Sequence, residues 1–316
     1  MDELKVFTGN AHPALAQKVV DYLGIPLGKA EVFQFANENI FVRILENVRS
    51  RDTFVVQPLA SPVNQNLVEL LIMLDALKRA SAERITAVIP YYAYGRSDRK
   101  DQPRVPITAR LLADLLTVAG ASRVLTVDLH SAQIQGFFNI PVDELTGLYL
   151  LVDYFKKKKF ESDLVVVAAD IGISKRARDV AVRLNAPLAI MEKHRSGNDD
   201  RSQILMVIGD VAGKIALVVD DEISTGGTLA NNVNTLIERG AKEVYFCATH
   251  PIFSGPALGR IAASPVKEVV VTDSLPVANG KKLDKVTVLP LAPLLGEAIH
   301  RIHTGQSVGE MFNGTK

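Results

Sequence analysis

Short apolar runs and longer amphipathic stretches alternate along almost the whole chain. The runs at 5–8, 53–57, 84–90, 123–127, 163–169, 214–219, 243–249 and 268–272 are rich in apolar, β-branched and aromatic residues. Their length and composition are those of buried strands. Between them, residues 12–23, 63–80, 107–119, 148–159, 174–184, 229–239 and 256–263 carry apolar side chains at helical spacing. Alternation of this kind predicts an α/β protein whose mostly parallel sheets are flanked by helices.

At 316 residues the chain is long enough for two domains, each with its own core. Residues 141–147 lack a clear period and mark the boundary. The predicted division is 1–145 and 146–303, with 304–316 as a tail packing back on the first domain. The halves share an outline: each has a charged loop near its middle, at 91–104 and 192–201, followed by a strand ending in Asp, at Asp128 and Asp221. Both loops are too polar to bury themselves, which is the profile of segments that close over a ligand.

Composition narrows the function classes. Hydrophobic residues make up 47% and charged residues 22%, the balance of a soluble globular protein. With 36 basic against 35 acidic residues the net charge is +1, so nothing drives the chain as a whole onto nucleic acid. Its single cysteine, Cys247, has no internal disulfide partner, which fits a reducing compartment. The charged start Met1-Asp-Glu-Leu-Lys5 does not read as a leader, and apolar stretches such as 67–77 are too short to span a bilayer. The expected location is cytoplasmic, without a membrane partner.

Chemistry is densest at Val218-Val-Asp-Asp-Glu-Ile-Ser-Thr-Gly-Gly-Thr228. A parallel strand over 214–219 predicts Asp220 and Asp221 at its C-terminal end. Ser224, Thr225, Gly226, Gly227 and Thr228 then form a loop ahead of a helix over 229–239. Amides at such a helix start, aided by the helix dipole, favour an anion by roughly 0.3–1 kcal/mol. Paired carboxylates suit vicinal hydroxyls, so the combination predicts a sugar phosphate. An ordinary helix cap accounts for the loop but not for the adjacent acids.

Other stretches are weaker when read alone. Arg96-Ser-Asp-Arg-Lys-Asp101 follows Tyr91-Tyr-Ala-Tyr-Gly95; its cations suit a polyphosphate and a tyrosine suits the flank of a base, but a solvated loop fits as well. His130 and Asp170 each follow a strand, where α/β proteins bind ligands. They suit a divalent ion, although a lone histidine is more often structural and magnesium takes few protein ligands. Lys193 and Arg195 lie in the second charged loop, where cations can neutralise a transferring phosphoryl group. Neither a Walker loop nor a G-x-G-x-x-G fingerprint occurs.

Taken together these stretches resemble the ribose-phosphate pyrophosphokinase family over nearly the whole chain. The resemblance is carried by Phe35-Ala-Asn-Glu-Asn39, Glu46-Asn-Val-Arg49, Ala87 through Lys100, Asp128 through Phe138, Val218 through Thr228, and Thr249 through Pro256. It implies two type I phosphoribosyltransferase-like domains, with the active site between them and completed by a neighbouring subunit of a homo-oligomer, a hexamer. The implied reaction transfers the diphosphoryl group of ATP to the C1 hydroxyl of ribose 5-phosphate, with Mg2+, giving AMP and 5-phosphoribosyl 1-diphosphate for nucleotide biosynthesis. By resemblance, Phe35, Asn37, Glu38, Asn39, Arg96, Ser97 and Asp98 bind ATP. Asp220, Asp221, Ser224, Thr225, Gly226, Gly227, Thr228 and Arg195 bind ribose 5-phosphate. His130 and Asp170 match the metal positions, and Lys193 with Arg195 the catalytic lid.

The chain departs from the family pattern at Ser224, where Asp is usual, at Ser97 (commonly Gln) and at Asn39 (commonly Glu). At the family's regulatory phosphate and ADP site, Arg49, Ser81, Arg104 and Ser307 match, while Asn47 and Gly309 replace serines. Two other readings compete with an active enzyme: a catalytically silent regulatory homologue, and a type I phosphoribosyltransferase. Retention of His130, Asp170, Lys193 and Arg195 argues against the first, and the Arg96 loop against the second.

Overall fold

The computed structural model describes residues 3–160, 163–195, 202–277 and 283–315. The chain divides into two compact units. The first holds the described residues of Met1–Thr146, Ser274–Pro276 and Pro290–Lys316, and the second those of Gly147–Asp273 and Val277–Leu289.

In the first unit the chain runs β1 (Leu4–Thr8), α1 (Pro13–Leu23), β2 (Ala30–Gln34), β3 (Ile40–Ile44), β4 (Asp52–Val56), α2 (Val63–Arg79), β5 (Arg84–Ile89), α3 (Thr108–Ala119), β6 (Arg123–Val127) and β7 (Val142–Leu145). Five strands form one sheet in the order β1-β4-β5-β6-β7, all neighbours parallel. Phe7 sits opposite Val55, and Val88 opposite Leu125. A parallel strand covered on both faces needs apolar side chains throughout, and β4 is buried at every residue. Helix α2 meets it with Leu67, Leu70, Met73, Leu74 and Leu77, one stripe at helical period. Fully burying each such side chain contributes about 1.5–3 kcal/mol.

The second unit runs α4 (Leu148–Lys157), β8 (Leu164–Ala168), α5 (Ser174–Arg183), β9 (Leu188–Arg195), β10 (Ser202–Ile208), β11 (Ile215–Ile223), α6 (Gly227–Glu238), β12 (Glu243–Pro251), α7 (Ala257–Ala263), β13 (Glu268–Thr272) and β14 (Val286–Leu289). Its seven strands take the order β10-β9-β8-β11-β12-β13-β14. Only the β9–β10 pair at the edge is antiparallel. Leu217 on β11 lies between Val166 and Tyr245, at the centre of the core.

Strands β2, β3, β7, β9, β10 and β14 are not among the strands expected from the sequence. Strands β2, β3, β7, β9 and β14 are short, half exposed or charged, so their hydrophobic signal is weak; β10 carries an apolar run at 204–208 directly after the charged stretch 192–201. Helix α8 (Ala292–Thr304) was expected within the second domain but belongs to the first unit. The reason is local packing. A side chain at Gly296 would strike the Tyr22 ring at 2.4 Å. The Tyr22 hydroxyl donates to Glu297 at 3.2 Å, and His303 Nδ1 lies 2.8 Å from Asp52 Oδ2. Asp52 is 1% exposed, and the Arg84 guanidinium donates to the same oxygen. A buried carboxylate needs such partners. Among the described residues no helix is long and apolar enough to cross a membrane.

Candidate functional site

Two constellations of candidate residues form, one in each unit. In the first unit, β6 ends at Val127 and the chain turns through Asp128, which is buried at φ +41°. His130 emerges exposed two residues later. Glu144 on β7 organises this turn. One of its carboxylate oxygens accepts the Leu129 amide N–H at 2.9 Å, and the other accepts the Gln135 side-chain amide. Gly95 packs against the same place: an added Cβ would lie 3.1 Å from His130 Cβ. The turn bearing Arg96 therefore sits directly on the His130 segment. Ser97 continues that turn, its N–H donating to Tyr94 O at 2.9 Å, with Asp98 next in a half-buried position. Arg96 itself is exposed.

Phe35 belongs to another element, the turn joining β2 to β3. Its N–H donates to Asn39 O at 2.8 Å, and Glu38, at φ +68°, donates back to Phe35 O at 2.9 Å. The Asn37 side chain accepts the Asn39 N–H at 3.2 Å. Phe33 and Phe41, cross-strand partners on the ribbon, buttress Phe35 edge-on with ring centres 5.0 and 5.9 Å away. Phe35 stays 49% exposed, an aromatic face held in place without being covered.

In the second unit, β11 runs further than its apolar run suggests. Asp220, Asp221 and Glu222 lie inside the strand rather than beyond it, because pairing with β12 continues to Ile223. All three are buried. Asp220 Oδ1 accepts the Asp221 N–H at 3.0 Å, and Asp221 Oδ1 the Glu222 N–H at 2.9 Å. Asp221 and Glu222 bring carboxylate oxygens within 4.8 Å of each other. Burial, then the nearby Asp220 charge, pushes the Cys247 thiol far above its ordinary value, which leaves it inert.

The loop that follows is short. Ser224 O accepts the Ser254 N–H at 3.0 Å, and Gly226, at φ +73°, starts α6. The helix thus begins at Gly227, two residues earlier than its apolar period indicates, and takes Thr228 into its first turn. Among the described residues no side chain caps this N-terminus, and no acid lies in its first turn, so its leading amides lack the usual side-chain acceptor. Arg260 on α7 donates from Nη1 to Thr225 O at 3.0 Å. Farther along α6, buried Asn232 donates to Ala169 O at 3.1 Å. That contact ties the helix to the residue before Asp170, whose Oδ1 accepts the Ile173 N–H at 3.2 Å.

Lys193 and Arg195 were expected in a loop over 192–201. Instead they lie on β9, with Lys193 opposite Ile204 and Arg195 opposite Ser202 in an antiparallel pair. Residues 196–201 lie outside the described residues. Residues not foreseen as supports are Gly95, Glu144, Phe33, Phe41, Asn232 and Arg260. The apolar pair of phenylalanines flanking Phe35 was the one visible signal; the others act on partners distant in sequence.

The family model described as the N-terminal domain of ribose phosphate pyrophosphokinase matches residues 4–120. A second, described as a phosphoribosyl synthetase-associated domain, matches residues 199–313. The ribose-phosphate pyrophosphokinase of Caldanaerobacter subterraneus subsp. tengcongensis is 53% identical over 311 residues, covering 98% of each chain. That of Fusobacterium nucleatum subsp. nucleatum is 49% identical over 313 residues, covering 99% of each. The crystal structure of phosphoribosylpyrophosphate synthetase from Mycobacterium smegmatis superposes with a TM-score of 0.91 at 46% identity, covering 96% of this chain and 100% of that one.

Proposed function

The chain belongs to the ribose-phosphate pyrophosphokinase family, and on that premise we propose the following chemistry for its residues. The enzyme forms 5-phosphoribosyl 1-diphosphate and AMP from ribose 5-phosphate and ATP. The C1 hydroxyl oxygen of the sugar attacks the β-phosphorus of ATP. The bond from that phosphorus to the bridging oxygen of the α-phosphate breaks, AMP leaves with the electron pair, and the hydroxyl proton is lost. Such a transfer asks the protein mainly for alignment and charge neutralisation.

The observation that carries this reading is the uncapped start of α6 directly after three buried acids. Its amides, with Ser224, Thr225, Gly226, Gly227 and Thr228, hold the 5-phosphate. Asp220 and Asp221 accept hydrogen bonds from the ribose hydroxyls. Phe35, Asn37, Glu38 and Asn39, supplied by a neighbouring subunit, frame the adenine, the Phe35 ring lending an exposed face for stacking. Arg96, Ser97 and Asp98 contact the ATP. Lys193 and Arg195, at the end of β9 where it pairs with β10, neutralise charge developing on the transferred group, and Arg195 also meets the sugar phosphate.

The family uses a metal ion, and we assign Mg2+ to His130 and Asp170. The chemistry of the donors fits: a half-buried carboxylate with one oxygen held by a backbone amide, and an exposed imidazole on a braced turn. Magnesium needs few protein ligands when phosphate oxygens complete its shell. When bound, it neutralises phosphate charge and orients the β-phosphoryl group. Assembly as a homohexamer and a cytoplasmic location complete the proposal.

Purified protein incubated with ATP, Mg2+ and ribose 5-phosphate is expected to release AMP at a rate that depends on the sugar phosphate. Well-folded protein that releases none overturns the reading.

A further inference from the structure

We propose that Arg260 is a positioning residue of the sugar-phosphate loop, supplying positive charge that becomes favourable only when the 5-phosphate is bound. The inference rests on the assignment of Ser224–Thr228 to ribose 5-phosphate. It names a residue outside that motif, 35 positions beyond Thr225.

Arg260 stands in an electrostatic mismatch with its surroundings. Helix α6 presents the positive end of its dipole at Gly227, with no acid in its first turn and no side-chain cap. A cation there is disfavoured, because helix starts prefer anions. Arg260 nevertheless sits there. Its Nη1 lies 3.3 Å from where a Gly227 Cβ would be, so the guanidinium rests flush against the first helical residue. Its hydrogen bond is to Thr225 O at 3.0 Å, a neutral acceptor. Among the described residues no carboxylate forms an ion pair with it.

Two positive centres side by side, without an anion, form an arrangement that an anion relieves. A sugar phosphate on the α6 amides offsets both. The hydrogen bond also occupies the Thr225 carbonyl oxygen, a negative group that would otherwise repel a phosphate, and it fixes the loop peptide. Glycine at 226 allows this closeness: a Cβ there would lie 3.2 Å from Ala257 O on α7, the helix that carries Arg260. Arg is suited to the task, since its planar fork keeps one donor on the carbonyl while its charge stays delocalised.

The test compares full-length wild type with Arg260→Gln and Arg260→Lys. Glutamine keeps a donor for Thr225 O and removes the charge; lysine keeps the charge. Ribose 5-phosphate affinity is read by calorimetry and by the ligand-induced rise in melting temperature, with ribose as the phosphate-free control. Arg260 is exposed, so we expect Arg260→Gln to weaken ribose 5-phosphate binding about threefold to fivefold, the upper part of the range for an exposed helix-terminus charge. Its KM for that substrate should rise in parallel, while the KM for ATP and kcat stay within about twofold. Ribose binding should be unaffected, and Arg260→Lys should recover most of the loss.

Wild-type affinity in Arg260→Gln overturns the proposal while leaving the loop assignment standing. An equal fall in ATP affinity or kcat also overturns it, because a merely structural role acts on all of them. If wild type itself fails to bind ribose 5-phosphate, the loop assignment and this proposal fall together.

Discussion

Glu144 holds Leu129 through a 2.9 Å hydrogen bond from the Leu129 amide, and so fixes the residue immediately before His130. The same carboxylate accepts from Gln135 farther round the turn, so one side chain braces both ends of the segment. A donor left unsatisfied there costs about 1–3 kcal/mol. Glu144→Ala is expected to lower activity roughly tenfold and to raise the Mg2+ concentration needed for half-maximal rate. Glu144→Gln, which retains one acceptor, should lose less. Magnesium titrations of the three proteins check this, and identical curves contradict it.

The start of α6 offers a backbone test. Gly226 stands at φ +73°, a left-handed conformation that costs a residue with a Cβ roughly 1–2 kcal/mol. An added methyl would also press on Ala257 O at 3.2 Å. Gly226→Ala is therefore expected to lower the melting temperature by a few degrees and to raise the KM for ribose 5-phosphate more than that for ATP. A variant with native stability and native KM values contradicts the role given to this turn.

Lys193 separates chemistry from binding. If its charge acts on the transferred group, Lys193→Ala should lower turnover about 10²–10³-fold, the usual scale for one stabilising group. Calorimetric affinity for ribose 5-phosphate should change little. Loss of that affinity instead would mean that Lys193 binds the acceptor.

The second unit also carries a pH-dependent brace remote from these residues. Burial works to raise the Glu268 carboxyl, but hydrogen bonds from Lys158, Thr287 and Tyr154 outweigh it and hold the pKa below its ordinary 4.5. Because the folded value lies below the unfolded one, the stabilisation is fully present above pH 4.5 and is lost as the pH falls through the folded value. Glu268→Gln should be less stable than wild type at neutral pH, and the difference should shrink in acid. Denaturation curves across that range measure it; a constant difference contradicts the assignment.

Much of this architecture is legible in the sequence, and the reasons it stops are physical. The run into β11 and the glycines at 226 and 227 announce a buried parallel strand and a tight helix start, because both demand particular residues locally. The charged end of β9 carries no such pattern. Its strand character comes from antiparallel pairing with β10, which places Lys193 and Arg195 on a strand where a loop is expected. Asp220 and Asp221 read as the end of the strand until β12 is seen to pair alongside as far as Ile223. Arg260 and Glu144 act on Thr225 and Leu129 across 35 and 15 residues, distances that no short motif spans. Helix α8 has a helical pattern but no local mark of which unit it joins; that depends on Tyr22 and Asp52.

In the proposed reaction the diphosphoryl group passes intact from ATP to the sugar. ATP labelled with 32P at the β-position, incubated with the enzyme, Mg2+ and ribose 5-phosphate, tests it directly. All label lost from ATP is expected in 5-phosphoribosyl 1-diphosphate, in step with unlabelled AMP. Label in free diphosphate, or consumption of ATP independent of the sugar phosphate, would contradict it.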